Sequence, residues 1–384
     1  MKITILVGGR FHAFDLAYRL QKKGYLLNLI TSYPKWKINK IINIDNKKIK
    51  TIILKEIIER ILYKLKLNFF LSFLNFYLNK YFEYFASKKV NYKNTDILIG
   101  WSGFSYKTFQ KSQNYNLIKI LERGSTHIKF QSDILEEECK IFNVDFKIND
   151  KEIKQELKEY DLADYISIPS NFVKQSFLKN GINKKKLIVT PYGVNLNYFY
   201  PKKKKDNIFR FIYVGTLSIR KGLWYTLKAF NELNLPNAEL ILVGSIEASF
   251  LPLLKEFTSN KKIKILNHIG QNKLVEFYNI SNVFVISSIE DGFAMVIPQA
   301  LACCLPVICT ENSGGSELIE NGINGYVLPI RQLDKLKEKM LFLYEDNEHY
   351  FFLKSKLYLK RRSLSWDRYA DSIINKYSKL LKNN

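Results

Sequence analysis

Short runs of aliphatic residues alternate along this chain with stretches in which apolar positions recur every three to four residues. The first run covers positions 3–7 and stops at Gly8-Gly9. Phe14, Leu16, Ala17 and Leu20 then line one helical face up to Gly24, and a second run fills 26–31. The switch of apolar period from strand to helix and back predicts a β-α-β unit. Further strands are predicted at 96–100, 117–121, 165–169 and 187–189. These runs are continuously apolar rather than alternating, so they predict a parallel sheet covered by helices on both faces.

The same rhythm restarts after the charged, Pro-led stretch 201–207, with strands predicted at 210–214, 239–243, 263–266, 283–286, 306–309 and 325–328. At the C-terminus Trp366, Tyr369, Ile373, Ile374, Tyr377 and Leu381 fall on one face of a predicted helix. The expected class is α/β: two Rossmann-like domains, 1–200 and 201–365, facing a central cleft, with a helix over 366–384 packing back toward the first domain. In such sheets ligands bind beyond the carboxyl ends of the strands, so both domains would present their loops to the cleft.

Composition changes this picture in one region. Between 36 and 89, lysines alternate with Phe69, Phe70, Phe73, Phe76, Tyr77, Tyr81, Phe82 and Phe85. Helical spacing of the aromatics with basic flanks suits a segment lying on an anionic membrane surface. It equally suits a core-facing helix with a solvated side. The formal net charge of +24 admits two readings as well: attraction to membrane, nucleic acid or phosphorylated substrates, or a chain-wide abundance of Lys. No recognised nucleic-acid module accompanies the charge, so nucleic acid is not the expected partner. Cys139, Cys303, Cys304 and Cys309 have neither metal nor redox spacing and suit a reducing compartment. No stretch reaches the roughly 18 uncharged apolar residues of a membrane span. A cytoplasmic protein is expected, peripheral at the inner face of the plasma membrane if 36–89 docks there.

The densest chemistry lies in 288–306, Ser-Ile-Glu-Asp-Gly-Phe-Ala-Met-Val-Ile-Pro-Gln-Ala-Leu-Ala-Cys-Cys-Leu-Pro. It follows a predicted strand and runs into a predicted helix, whose first free N–H groups and positive dipole end suit an anion. Amides near Ala294, Met295 and Val296 can hold a diphosphate there. An acid just before them, Asp291, can bond sugar hydroxyls, and Gln299, two turns along, can reach a ribose.

This segment resembles the signature of glycosyltransferase family 4, retaining glycosyl transferases of the GT-B fold. The family pattern is E-G-F-G-x-x-x-x-E-A-x-A-x-G-x-P-V-I. Here Asp291 stands for the first Glu, Gln299 for the second and Cys304 for the Gly before Pro. Other stretches agree along most of the chain. Residues 214–222 resemble the G-R-x-x-x-x-K-G loop, with Thr216 at the Arg position. Residues 191–201 resemble P-x-G-V-D-x-x-x-F-x-P, and Gly315, Glu317, Gly322 and Gly325 fit the stretch after the signature.

The resemblance implies transfer of a hexose from a nucleotide-diphosphate sugar to a glycan or lipid-linked acceptor, in surface polysaccharide biosynthesis. It implies that Lys221, with Arg220 beside it, binds the donor phosphates, and that Gly292, Phe293, Ala294, Met295, Val296 and Gln299 line the donor. The base is expected near Ile269 and Gly270, and Gly9 close to donor or acceptor. Asp291 and His127 are the expected catalytic pair, His127 matching the family's cleft histidine, and His12 is expected on the acceptor side. No D-x-D occurs, so neither a metal nor a cofactor beyond the nucleotide sugar is expected. Two alternatives stay open: an inverting transferase or epimerase of similar fold, and a homologue that has lost catalysis and binds membrane or nucleic acid.

Overall fold

The computed structural model describes residues 1–65 and 67–383; the side chains of Phe69, Phe70 and Phe73 and the whole of Lys66 lie outside the described residues. The first domain is built on seven parallel strands: β1 (Ile3–Val7), β2 (Leu26–Thr31), β3 (Ile49–Thr51), β4 (Ile97–Trp101), β5 (Ile118–Glu122), β6 (Tyr165–Ile168) and β7 (Leu187–Val189). Their order in the sheet is β3-β2-β1-β4-β5-β6-β7. Helices α1 (Ala13–Lys22), α2 (Lys35–Ile41), α3 (Leu54–Lys64), α4 (Asn68–Lys89), α5 (Tyr106–Ser112), α6 (Ile128–Ile141), α7 (Asp150–Leu162) and α8 (Asn171–Lys179) accompany it.

The second domain has six parallel strands: β8 (Phe209–Val214), β9 (Ala238–Val243), β10 (Ile263–Leu266), β11 (Val283–Ile286), β12 (Val307–Thr310) and β13 (Gly325–Leu328), ordered β10-β9-β8-β11-β12-β13. With them run α9 (Leu223–Leu233), α10 (Leu251–Lys255), α11 (Gln271–Ile280), α12 (Val296–Ala302), α13 (Leu333–Glu345) and α14 (Asn347–Lys360). Both sheets reverse strand order once, between β1 and β4 and between β8 and β11. The loops leaving the carboxyl ends at those reversals, 8–12, 102–105, 215–222 and 287–295, therefore face one crevice. This is the arrangement of two Rossmann-like domains about a cleft, the GT-B fold.

Four local outcomes differ from the apolar pattern. Strands β4 and β5 each run one residue further than their aliphatic runs, because Trp101 and Glu122 complete the ladder as a register pair. Strand β3 sits inside the lysine-rich insertion, pairing Ile49 with Leu29 and Thr51 with Thr31. Helix α4 divides its faces: Leu78, Phe82 and Ala86 enter the core of the first domain, while Tyr77, Tyr84 and Phe85 stay exposed. Helix α3 is inverted, with Lys55 and Glu56 buried and Leu54, Ile57 and Ile61 exposed.

Close approach of backbone governs two glycines at the cleft. Gly222 takes a left-handed conformation (φ 59°), and a Cβ there would meet the Ser287 carbonyl oxygen at 1.8 Å. Gly292 lies against the first domain, where a Cβ would meet the Gly124 carbonyl oxygen at 2.1 Å. The domains are also tied at the flank. The Glu317 carboxylate accepts hydrogen bonds from the N–H groups of Asn171 and Phe172, at the start of α8, and Arg331 donates to Glu137 and Glu138 of α6, each at 2.6 Å. An acid at a helix N-terminus satisfies orphan amides and complements the dipole.

After α14 the chain returns to the first domain as α15 (Trp366–Asn383). Trp366, Tyr369, Ile373 and Tyr377 join that domain's core, and Arg19 and Lys23 at the end of α1 pair with Asp367 and Asp371. Ile373 is fully buried, so Ile373→Ala should lower stability by about 2–5 kcal/mol, as for other buried large-to-small changes. Urea unfolding checks this, and an unchanged midpoint would mean that the helix is not part of that core.

Candidate active site

The loop after β8 carries Arg220 and Lys221, and the loop after β11 carries Glu290 and Asp291. They meet across the reversal of the C-terminal sheet as two ion pairs: Arg220 with Glu290 at 2.8 Å, and Lys221 with Asp291. Ser287 holds the two loops in register by donating to the Gly222 carbonyl at 2.6 Å.

Glu290 is fully buried and reaches the opposite domain. One carboxylate oxygen accepts from the Thr126 N–H at 3.0 Å and its hydroxyl at 2.8 Å; the other accepts from the Gln131 amide at 3.1 Å. Burial pushes the Glu290 carboxyl up, but Arg220, the two Thr126 hydrogen bonds and Arg123 outweigh it and hold the group below the usual carboxylate range. The network continues into the first domain. Arg123 donates to Gln131 (2.8 Å), Glu156 (3.1 Å), Ser102 (3.3 Å) and the Thr126 carbonyl (3.1 Å). Arg220 also donates to Ser125 at 3.2 Å. A buried acid tied to two cations and three neutral donors satisfies its lone pairs, which is what lets it remain ionised away from water.

Beside this junction lies a cavity of about 520 Å³, lined by residues of both domains, among them Phe11, His12, Glu122, Ser125, Tyr192 and Met295. The sequence-predicted site residues divide around it. His12 and Met295 line it, Gln271 brings the loop of Ile269 and Gly270 to its edge, and Arg220 abuts it through Ser125. Lys221 and Asp291 stand together behind Arg220. Gly292 accepts a hydrogen bond from Ser170 at 2.8 Å, and the Phe293 ring packs edge-on against Tyr192 at 5.3 Å. Ala294 is buried, and Met295 and Val296 are half-buried at the start of α12, a helix of seven residues. The Gln299 side chain accepts from the Tyr278 hydroxyl at 3.1 Å. Gly9 sits at the end of β1, its carbonyl accepting from Thr31 at 3.0 Å.

His127 is not brought to this cavity. Its ring lies between Tyr160 and Phe177, each 5.1 Å away, and its Nδ1 caps α6 by accepting from the Lys129 N–H at 3.3 Å. The physical reason is the short connection: β5 ends at Glu122 and α6 begins at Ile128, so Thr126 faces the partner domain while His127 turns into the core. The strand-end signal for Glu122, Arg123 and Trp101 was hidden because a charge or an indole there does not extend an apolar run. Glu290 read as mere lead-in to Asp291.

Residues 197–357 match the family glycosyl transferases group 1. A probable sucrose-phosphate synthase of Thermosipho melanesiensis is 28% identical over 204 residues, 50% of this chain and 47% of that protein. A capsular polysaccharide biosynthesis glycosyltransferase, CapM, of Staphylococcus aureus is 23% identical over 50% of this chain and 55% of its own. The chain thus spans about half the length of these two relatives. Among solved structures, the Anabaena protein HepE in complex with UDP superposes with a TM-score of 0.70 at 15% identity, covering 99% of this chain and 100% of that one.

The setting of His127 has a pH consequence. Burial, Arg123 and Lys129 lower its pKa from 6.5 to about 4. A depressed folded pKa contributes stability above the unfolded value that is lost as pH falls toward the folded one. Between pH 6.5 and about 4 the wild type should therefore lose stability more steeply than His127→Asn, which keeps a cap acceptor without titrating. Denaturant midpoints across that range check it; parallel slopes would contradict the assigned burial.

Proposed function

From a chain that has the GT-B fold and is related through residues 197–357 to the glycosyl transferases group 1, we propose a retaining glycosyltransferase that moves a hexose from a nucleotide-diphosphate sugar to a glycan or lipid-linked acceptor, in surface polysaccharide assembly. The observation that carries this reading is the pair of cations Arg220 and Lys221 at the sheet reversal, opposite the acidic loop of Glu290 and Asp291. CapM supports the pathway class, and the UDP bound by HepE supports the donor class.

The chemistry needs three things: charge for the departing diphosphate, a site tolerant of positive charge at the anomeric carbon, and an aligned acceptor hydroxyl. In the reading proposed here Lys221 and Arg220 serve the first. Glu290 and Asp291 orient these cations and offset part of their charge, and a diphosphate would take the N–H donors that the acids leave free. Asp291, beside Lys221, bonds donor sugar hydroxyls in this reading. Gln299 serves the ribose, and the loop of Ile269 and Gly270 the base. With His127 in the core, His12 takes the cleft-facing histidine position on the acceptor side.

Lys221→Ala should lower kcat/KM by roughly 30- to 1000-fold, the effect of about 2–4 kcal/mol of lost transition-state stabilisation. It should also abolish the rise in melting temperature that UDP, GDP or ADP gives the wild type. Full activity in the variant would remove Lys221 from the phosphate site. Product anomer analysis by NMR tests retention, and an inverted product would contradict it.

Docking on an anionic membrane through 36–89 is part of the same proposal, favoured by the inverted helix α3. Leu54, Ile57 and Ile61 are exposed at helical spacing, followed by exposed Tyr63 and Leu65 and by Lys64. Apolar side chains facing outward beside lysines suit an interfacial helix. Co-sedimentation with phosphatidylglycerol vesicles should fall on Ile57→Asp and with added salt; sedimentation indifferent to both would refute docking by this face.

A further inference from the structure

Of the proposed donor residues only Met295 lines the cavity, with Gln271 beside the base loop, and its N-terminal wall is left unexplained. Glu122, at the carboxyl end of β5, is 1% exposed, and neither carboxylate oxygen has a hydrogen-bond partner among the described residues. The nearest donor is His12 Nε2, 3.6 Å away and itself unpartnered. The hydroxyls of Tyr192 and Tyr369, whose rings lie 4.0 and 6.0 Å from the His12 ring, are also buried without partners. A buried carboxylate without hydrogen bonds is costly in a folded protein, yet both Glu122 and His12 line the cavity.

At the mouth of the same cavity Phe11 adopts a positive φ of 40°, a conformation rarely taken by an aromatic residue, and its ring is 58% exposed. Strain of this kind persists where surrounding structure imposes it and is found preferentially at ligand sites. The ring stands 6.5 Å from Phe104 rather than folding into the core. Arg10, Asp15 and Glu122 all line this wall, Asp15 paired with Arg19, and Arg123 there is fully engaged with Glu156, Gln131, Ser102 and Thr126. At its buried end the Glu122 carboxylate disfavours an anion and favours a hydroxyl donor.

We infer that this wall is a subsite for a neutral, hydroxyl-rich sugar ring of the acceptor, with Phe11 as the face on which the ring stacks and Glu122, with His12, as the anchor for its hydroxyls. A ligand hydroxyl about 2.8 Å from both groups donates to Glu122 and accepts from His12. It would give a partner to two buried groups that have none. The C–H face of a pyranose is apolar and covers an exposed aromatic ring. This deepens the glycosyl-transfer reading and rests on it.

Saturation-transfer NMR with methyl β-D-glucopyranoside and methyl α-D-mannopyranoside as probes, each with UDP present, tests the subsite. The wild type is expected to bind at least one glycoside. Phe11→Gly, which keeps the backbone conformation, and Glu122→Gln, which keeps the shape, should each weaken it roughly tenfold, about 1.4 kcal/mol, while UDP binding and thermal unfolding stay unchanged. Equal glycoside binding by both variants, or none by the wild type while UDP still binds, overturns the inference. Absence of UDP binding removes the donor reading and the inference together, and the UDP signal tells that case from failure of the subsite alone.

Discussion

A carboxylate in the seam between two domains has to find its partners on both sides or be driven neutral. Glu290 finds them: Arg220 from its own domain, and the Thr126 N–H, the Thr126 hydroxyl and the Gln131 amide from the other. Hydrogen bonds to a charged group are worth about 1.5–3 kcal/mol each, and losing the acid would strand three donors across the seam and take from Arg220 its ion-pair partner. The seam is therefore specified by polar geometry as much as by apolar packing. Gly292 follows from the same constraint, since only a residue without Cβ lets the loop of Glu290 come this close to Gly124.

The seam also shapes the cleft. Through Arg220 and Ser125 the donor-side loop is tied to the connection leaving β5, and through Gln131 and Arg123 the tie reaches Glu156 and the loop after β4. That second loop is fixed by Glu159, which accepts from the N–H groups of Gly103, Ser105 and Tyr106 at 2.6, 2.8 and 3.1 Å. The cavity consequently carries the unpartnered Glu122 carboxylate and aromatic rings on its N-terminal wall, while the paired cations stand at the junction beside it.

Much of the architecture was readable in the chain because parallel strands buried on both faces must be continuously aliphatic, as in 3–7 and 283–286. What escaped was of three kinds. Strand ends that serve the cleft, Trp101 and Glu122, are not aliphatic, so the pattern stopped one residue short of the chemistry. Strand β3 has three residues and a lysine at its centre, too little signal for any period. Burial can also run against hydropathy: α3 hides Lys55 and Glu56 and exposes isoleucines. For the site, motif spacing singled out Lys221 and Asp291, which the structure pairs. It put His127 in the cleft, whereas a five-residue connection turns it into the core, and it passed over Glu290, whose partners in the other domain, Thr126 and Gln131, are 164 and 159 positions away.

The tie made by Glu290 is tested most directly at the amide it holds. Hydrogen–deuterium exchange of the peptide containing Thr126 should be slow in the wild type and markedly faster in Glu290→Ala, because the Thr126 N–H loses its acceptor across the seam. Faster exchange confined to that peptide, Gln131 and the loop of Arg220 is the predicted result. An exchange rate at Thr126 that does not change would contradict the account.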